Sequence, residues 1–429
     1  MTHMRRYAPI VGALLVLVWM FAFRWEWSFI DDAGMKILVN DATSKHGIAG
    51  LWTDMHAQAL ADRTWGLFRP LWYVYAAFFY LANPAIAHGL RLAMFLAVIL
   101  IPALRWARSP LAAVIAAAVL AANVTLYLGL SYLSLQELSG LTLVALGLLT
   151  EGPVRRSLLW LGAAWFKTPF VWLFLAWSVY LLFRRKQWAW LNIAGGIFTV
   201  VLAALASRRG TYTQGFSLAN VSRAIKSAIP LLRWPGVVGV LALIALRPRP
   251  KSIAWRDPLA WVFLAGGALY LANLLPWGHA DSYYVAPAIW LLSVGVLRMV
   301  LLAERAKFAM AQFVTAAAAV ATLAAAGNVA LTNTKQQLDR NAAVVGVREW
   351  ALTVPAEQTI GINSDEGAAR LGNVLHLSGS NHAVTFVPEA DTSHTPTYYV
   401  FFHDQGTANP RLQKNVLHSF ALATVYNTG

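Results

Sequence analysis

The sequence predicts a polytopic α-helical membrane protein: about eleven transmembrane helices, interfacial helices in the first outer loop, and a small C-terminal α/β domain. Three observations carry this reading. Of the 429 residues, 58% are hydrophobic and only 12% charged, a composition richer in apolar side chains than a water-soluble fold requires. Apolar runs recur through the first 330 residues, and the basic residues between them fall in alternate loops. The chain has no cysteine, which excludes structural disulfides, thiolate metal sites and cysteine nucleophiles. A formal charge of +15 would suggest a nucleic-acid partner for a soluble protein. In a membrane protein the position of each Lys and Arg matters more than their sum, and no nucleic acid is expected.

The opening "MTHMRRYAPIVGALLVLVWMFAF" has a basic flank and an apolar run, but Phe21, Ala22, Phe23 and Arg24 lead straight into "WEW" without a small-residue cleavage site. It reads as an uncleaved first helix. Further apolar runs fall near 85–104, 110–129, 138–150, 157–167, 170–183, 188–206, 235–246, 258–274, 284–301 and 308–330. Basic clusters stand at Arg5/Arg6, Arg105/Arg108, Arg155/Arg156, Arg184/Arg185/Lys186, Arg247/Arg249/Lys251/Arg256 and Arg298/Arg305/Lys307. A cytoplasmic N-terminus with eleven crossings puts every cluster inside. Leu71 to Leu104, broken by "ANPAIAH", must then cross once, so Leu71 to Ala82 lies at the outer face and the crossing follows Pro84.

The expected organisation is therefore a transmembrane domain over 1–330, with an outer loop over 24–84 and a basic outer segment over 207–234. A soluble domain over 331–429 lies on the periplasmic side of an inner membrane. In that tail "NTKQQLDRNAAVVGVREWAL" has helical spacing, "TIGIN" and "TYYVFFH" read as strands, and "DEGAARLGNVLHL" as a helix between strands. About 100 residues can hold a small core.

The polar residues gather at the outer level. Asp31 and Asp32 follow the first apolar run. Asp32 suits the cap of a helix from about Ala33 to His46, closed by Gly47. Beside a low-dielectric surface a carboxylate can also act as general base for a hydroxyl, or the pair can share a divalent cation, the one cofactor the sequence leaves open. The segment "ASRRGTYTQGFSLANVSRAIKSAIPLLR" holds Arg208, Arg209, Arg223, Lys226 and Arg233 and no acid. Leu218, Val221, Ile225, Ile229 and Leu232 form an apolar stripe at helical spacing, which describes a helix lying on the membrane. Its cations suit anionic headgroups or the phosphate of a lipid-linked substrate. Arg69, Arg91, Lys167 and His279 fall at the same depth, as do Gln136 and Glu137 in "SYLSLQEL" and Asp281, Tyr283 and Tyr284 in "LPWGHADSYYVAP". Ionisable residues held at one membrane level mark a functional site.

The order of these features resembles the membrane glycosyltransferases of the C-fold superfamily, especially the aminoarabinose transferase and protein O-mannosyltransferase branch. The matches are the acidic pair Asp31 and Asp32, Arg69–Pro70 in "LFRPLWYVY", Lys167 in "WFKTPF", the outer segment with Tyr283 and Tyr284, and the C-terminal α/β tail. Thr168 stands where the family often has an acidic residue or glycine, and Glu137 where relatives often carry arginine or aspartate. The resemblance implies transfer of a sugar from a polyprenyl-phosphate donor to an envelope glycan, lipid or protein acceptor on the periplasmic face. One aspartate would be the base. Arg69, Lys167, Arg208, Arg209 and His279 would hold the donor phosphate; Arg91, Gln136, Glu137, Asp281, Tyr283 and Tyr284 would line the substrate site. A transporter of lipid-linked glycan would want polar residues at the bilayer midplane and related halves. A lipid-linked glycan polymerase or ligase would also use basic outer loops, and the acidic first loop separates it from the transferase.

Overall fold

The computed structural model describes residues 32–62, 68–82, 84–107, 109–123, 126, 136–207, 217–246, 256–276, 282–302, 339, 342–403, 406–420 and 422–428. The runs expected at 8–23 and 308–330, and the expected domain boundary at 330, lie outside the described residues.

Helix α1 (Asp32–Asp62) opens the described chain. Gly47, the expected helix stop, takes φ 64° and ψ −161°, a conformation glycine enters without a Cβ clash. The helix breaks there, and a second stretch continues to Asp62. Helix α2 (Pro70–Phe79) has 10 residues, about 15 Å of length against about 30 Å of hydrocarbon. The chain turns over 80–82 and enters α3 (Pro84–Trp106), 23 residues long. Only the second of these is long enough to cross, as the single-crossing reading of Leu71 to Leu104 requires. Lys36 Nζ donates to the Tyr80 carbonyl at 2.6 Å and ties α1 to that turn.

There follow α4 (Pro110–Ala121), α5 (Gln136–Leu149), α6 (Pro153–Phe166), a 3₁₀ turn (Thr168–Phe170), α7 (Val171–Phe183), α8 (Ala189–Ser207), α9 (Leu218–Leu246), α10 (Pro258–Leu274) and α11 (Ser282–Leu302). Proline begins α2, α3, α4, α6 and α10, at the position where its missing N–H is not needed. Ser109 and Asp257 precede two of these prolines and cap their helices, accepting from Ala112 N at 3.1 Å and Ala260 N at 2.9 Å. Within the apolar run over 110–129, α4 ends at Ala121 with Ala122 as its cap, and most of the remainder lies outside the described residues.

Ile86–Trp106, Ala189–Ala206 and Tyr283–Leu302 are each long and apolar enough to cross a membrane. In α9, Leu218–Arg233 and Pro235–Leu241 meet at 48°, with Pro230 and Pro235 inside the helix to account for the bend. The basic amphipathic stretch and the apolar run after it are thus one bent helix rather than two elements. Leu218, Ile225, Ile229 and Leu232 are exposed, as a membrane-facing stripe should be, while Asn220, Ala224, Ala228 and Leu231 are buried. Those four recur every three or four residues, the face that packs on α4 and α11.

In lipid the hydrophobic effect does not draw helices together; close approach and dispersion do. Gly267 and Gly295 supply that approach between α10 and α11: a Cβ on either would stand 3.1 Å from Ala288 O or 3.0 Å from Ala260 O. Trp160, Phe263 and Trp290 fill the centre in edge-to-face contacts, with ring centroids 5.5 and 6.5 Å apart.

The tail carries a five-stranded sheet of order β2-β1-β3-β5-β4, from β1 (Ile360–Ile362), β2 (Val384–Phe386), β3 (Tyr398–Phe402), β4 (Asn415–Ser419) and β5 (Ala423–Asn427). β1 pairs in parallel with β2 and β3; β5 pairs antiparallel with β3 and β4. A helix over 342–351, α12, and α13 (Asp365–Leu377) cover one face, where Val347, Leu371 and Leu375 meet Ile360, Val400 and Phe402. Ser364 caps α13 by accepting from Gly367 N at 3.0 Å. α13 in turn packs on α1, with Asn373 Nδ2 3.2 Å from where a Cβ on Gly34 would stand. The C-terminal sheet and its helices therefore lean on the first turn of the helix that Asp32 begins.

Topology is testable at exposed positions, since the wild type lacks cysteine. Lys186→Cys and Ala390→Cys replace exposed residues. An impermeant thiol reagent is expected to label only position 390 in spheroplasts; labelling of 186 would invert the orientation.

Candidate functional site

Lys167 ends α6 with extended φ/ψ of −147° and 111°, and Pro169 starts the 3₁₀ turn that follows. Its side chain turns into the protein, where Nζ lies 2.7 Å from Glu137 Oε1 and 4.0 Å from the centroid of Tyr284. The contact with Glu137 is a close ion pair without the alignment of a hydrogen bond. The face of Tyr284 supplies a cation–π contact on another side of the ammonium. Three elements, α5, the α6–α7 turn and α11, thus converge on one charge pair.

Arg69 stands beside it. It precedes α2 with φ −149°, and its guanidinium packs over the Tyr73 ring at 5.8 Å with Nε donating to Tyr73 Oη at 3.4 Å. The Gln136 amide, oriented by its partners, accepts from Arg69 through its oxygen and donates to the Phe166 carbonyl at 3.2 Å. Thr168 Oγ1 donates to Phe68 O at 2.8 Å. Thr168 therefore pins the segment that carries Arg69 to the turn that carries Lys167, a role its place in the motif did not disclose. The sequence also gave no warning of Tyr270, whose buried hydroxyl has no hydrogen-bond partner among the described residues. Its ring meets Phe170 edge-on at 5.2 Å, within electrostatic reach of Glu137 and Tyr284. A lone phenol in "GALYLANL" is the signal that could have singled it out.

Of the expected site residues, Arg69, Gln136, Glu137, Lys167 and Tyr284 come together. The Tyr283 ring lies against that of Tyr284, tilted by 40° with centroids 4.1 Å apart. Arg91 is fully buried and donates to Ser139 Oγ at 3.0 Å, a bond that joins α3 to α5 one turn below Gln136. Asp32 is placed at the start of α1, its side chain outside the described residues. Asp31, Arg208, Arg209, His279 and Asp281 also lie outside them. Among the described residues no group of three or more His, Asp or Glu could hold a metal; a divalent cation at the acidic pair involves residues beyond them.

The described cluster thus offers two cations against one carboxylate, with phenols around them. Such a set suits an anion bearing several oxygens, since guanidinium and ammonium donors form short, strong bonds to phosphate.

No protein-family model and no curated protein matches this sequence. Solved structures do. The structure of ArnT from Cupriavidus metallidurans in the apo state aligns over 100% of this chain and 98% of its own, with a TM-score of 0.56 at 13% identity. The same protein bound to undecaprenyl phosphate aligns over 98% of each chain, with a TM-score of 0.55 at 13% identity. The chain has the ArnT fold. The motif resemblance therefore holds for the architecture from end to end, including the C-terminal α/β tail, although few identical residues support it. An ArnT fold is that of a polytopic membrane protein, in keeping with the three helices long and apolar enough to cross a membrane.

Proposed function

We propose that this chain is an integral-membrane glycosyltransferase that moves a sugar from a polyprenyl-phosphate donor to a cell-envelope acceptor at the periplasmic face. The observation that carries the reading is the cluster of Arg69, Gln136, Glu137, Lys167 and Tyr284 at one end of a bundle whose fold is shared with a protein that binds undecaprenyl phosphate.

In this reading the acceptor hydroxyl oxygen attacks the anomeric carbon, and the bond from that carbon to the phosphate oxygen breaks. The hydroxyl proton passes to Asp31 or Asp32, and the bonding pair leaves with polyprenyl phosphate. Arg69 and Lys167 face the charge that grows on that leaving group, with Arg208, Arg209 and His279 as further candidates. Gln136 and Thr168 hold the cations in place rather than touch the sugar.

The test is to incubate the purified full-length protein with radiolabelled polyprenyl-phosphate sugars of several kinds. Consumption of one donor, with polyprenyl phosphate appearing as product, is the expected result. A protein that binds these donors and carries them across vesicles unchanged is a transporter, and one that binds none of them has neither activity.

A further inference from the structure

Three arginines stand at the end of the bundle opposite Lys167: Arg105 in the last turn of α3, Arg156 in the first turn of α6, and Arg298 of α11, which lies over Trp106 beside Arg105. Arg298 of α11 grips Asp257 with both arms of its fork, Nε to Oδ1 at 2.7 Å and Nη2 to Oδ2 at 2.8 Å. Its plane lies over Trp106 at 4.8 Å. Arg156 of α6 closes the end of α5, donating from Nε to Gly147 O at 3.0 Å and from Nη2 to Thr150 O at 2.7 Å. Its plane lies over Trp177 at 5.0 Å. Arg105, in the last turn of α3, is exposed and has no hydrogen bond or ion pair among the described residues. Both Arg105 and Arg298 stand close enough to Arg156 to repel it.

The cluster holds three cations and one acid, an excess of two positive charges at a membrane edge. Asp257 is taken twice, by Arg298 and by the α10 cap, and among the described residues no second carboxylate pairs with these three guanidinium groups. Arg156 and Arg298 are held by their hydrogen bonds and lie over indole rings, which leaves their unused N–H groups placed for a second acceptor. A fixed excess of positive charge at a membrane surface attracts anionic headgroups. The charge rule assigns this end to the cytoplasmic leaflet, where the available anion is a lipid phosphodiester. We infer that Arg105, Arg156 and Arg298 form a binding site for the phosphodiester headgroup of an anionic phospholipid, framed by Trp106 and Trp177.

Arg105→Gln tests this without disturbing the fold, because the Arg105 side chain makes no bond among the described residues. Arg155→Gln is the control: it removes the same charge from an exposed neighbour of Arg156. Delipidated full-length protein in detergent is titrated with phosphatidylglycerol or phosphatidylcholine, and retained lipid is counted by native mass spectrometry. The wild type is expected to retain phosphatidylglycerol in preference. Arg105→Gln should weaken retention about tenfold, the scale of one charge-assisted hydrogen bond, and Arg155→Gln should not. Equal loss in both variants, or no preference over phosphatidylcholine, reduces the cluster to non-specific attraction and overturns the site. Inorganic phosphate displacing phosphatidylglycerol one for one at millimolar concentration overturns the lipid assignment in favour of a soluble phosphate.

Discussion

Asn in place of both Asp31 and Asp32 is expected to nearly abolish sugar transfer while folding and donor binding persist. Removal of a proton by a placed base contributes about 100-fold to 10,000-fold, so losing the base costs a factor in that range. The structural alternative predicts little change. The helix that begins at Asp32 breaks at Gly47 by backbone conformation, whatever stands at its start. Its first turn is held against α13 through Gly34 and Asn373, and Asn caps a helix about as well as Asp. Donor consumption, polyprenyl-phosphate affinity and the melting temperature are to be measured on the two single variants and the double one. Transfer at the wild-type rate in all three would leave the pair as helix caps and remove the base from the proposed mechanism.

The bundle was legible because its signals are one-dimensional. Apolar length, Pro at helix starts and the Ser109–Pro110 and Asp257–Pro258 pairs each act within a few residues, and the helices form where they stand. Charge placement was legible for the same reason: it put Arg105, Arg156 and Arg298 on one side, and the structure gathers them at one end of the bundle. What the sequence could give for the site was depth, not pairing. Lys167, Glu137 and Tyr284 lie on elements far apart in the chain, so nothing local reveals that one ammonium serves both partners. Glu137 and Thr168 looked like separate departures from the family pattern. In the structure they answer one another: the residue after the lysine carries no carboxylate, and α5 delivers one across the bundle instead. The late strands escaped because β4, Asn415–Ser419, is exposed along its whole length and so lacks the alternation of a half-buried strand. Its pairing with β5 comes from the sheet rather than from its own pattern.

Lys167→Met alone is expected to destabilise the protein by about 3 to 5 kcal/mol, because it strands Glu137 as a buried carboxylate without its counter-charge. Glu137 is 7% exposed in its side chain and Lys167 15%, so water cannot easily take over for either partner. A loss of activity in that variant would therefore say nothing about phosphate. Glu137→Gln with Lys167→Met removes both charges at near-constant volume, and most of the lost stability should return. If Lys167 serves only its pair, this double variant binds polyprenyl phosphate as the wild type does. If it serves the donor, affinity falls on the order of tenfold, since a hydrogen bond to a charged group contributes roughly 1.5 to 3 kcal/mol. Glu137→Gln by itself goes the other way: the ammonium keeps Tyr284 and loses its competitor, so donor binding should tighten. Thermal unfolding and binding of polyprenyl phosphate, measured on the three variants, separate the two roles. Wild-type affinity in a stable double variant would leave Arg69 and the residues over 208–233 as the phosphate ligands and make the Lys167–Glu137 pair a structural joint between α5 and the α6–α7 turn.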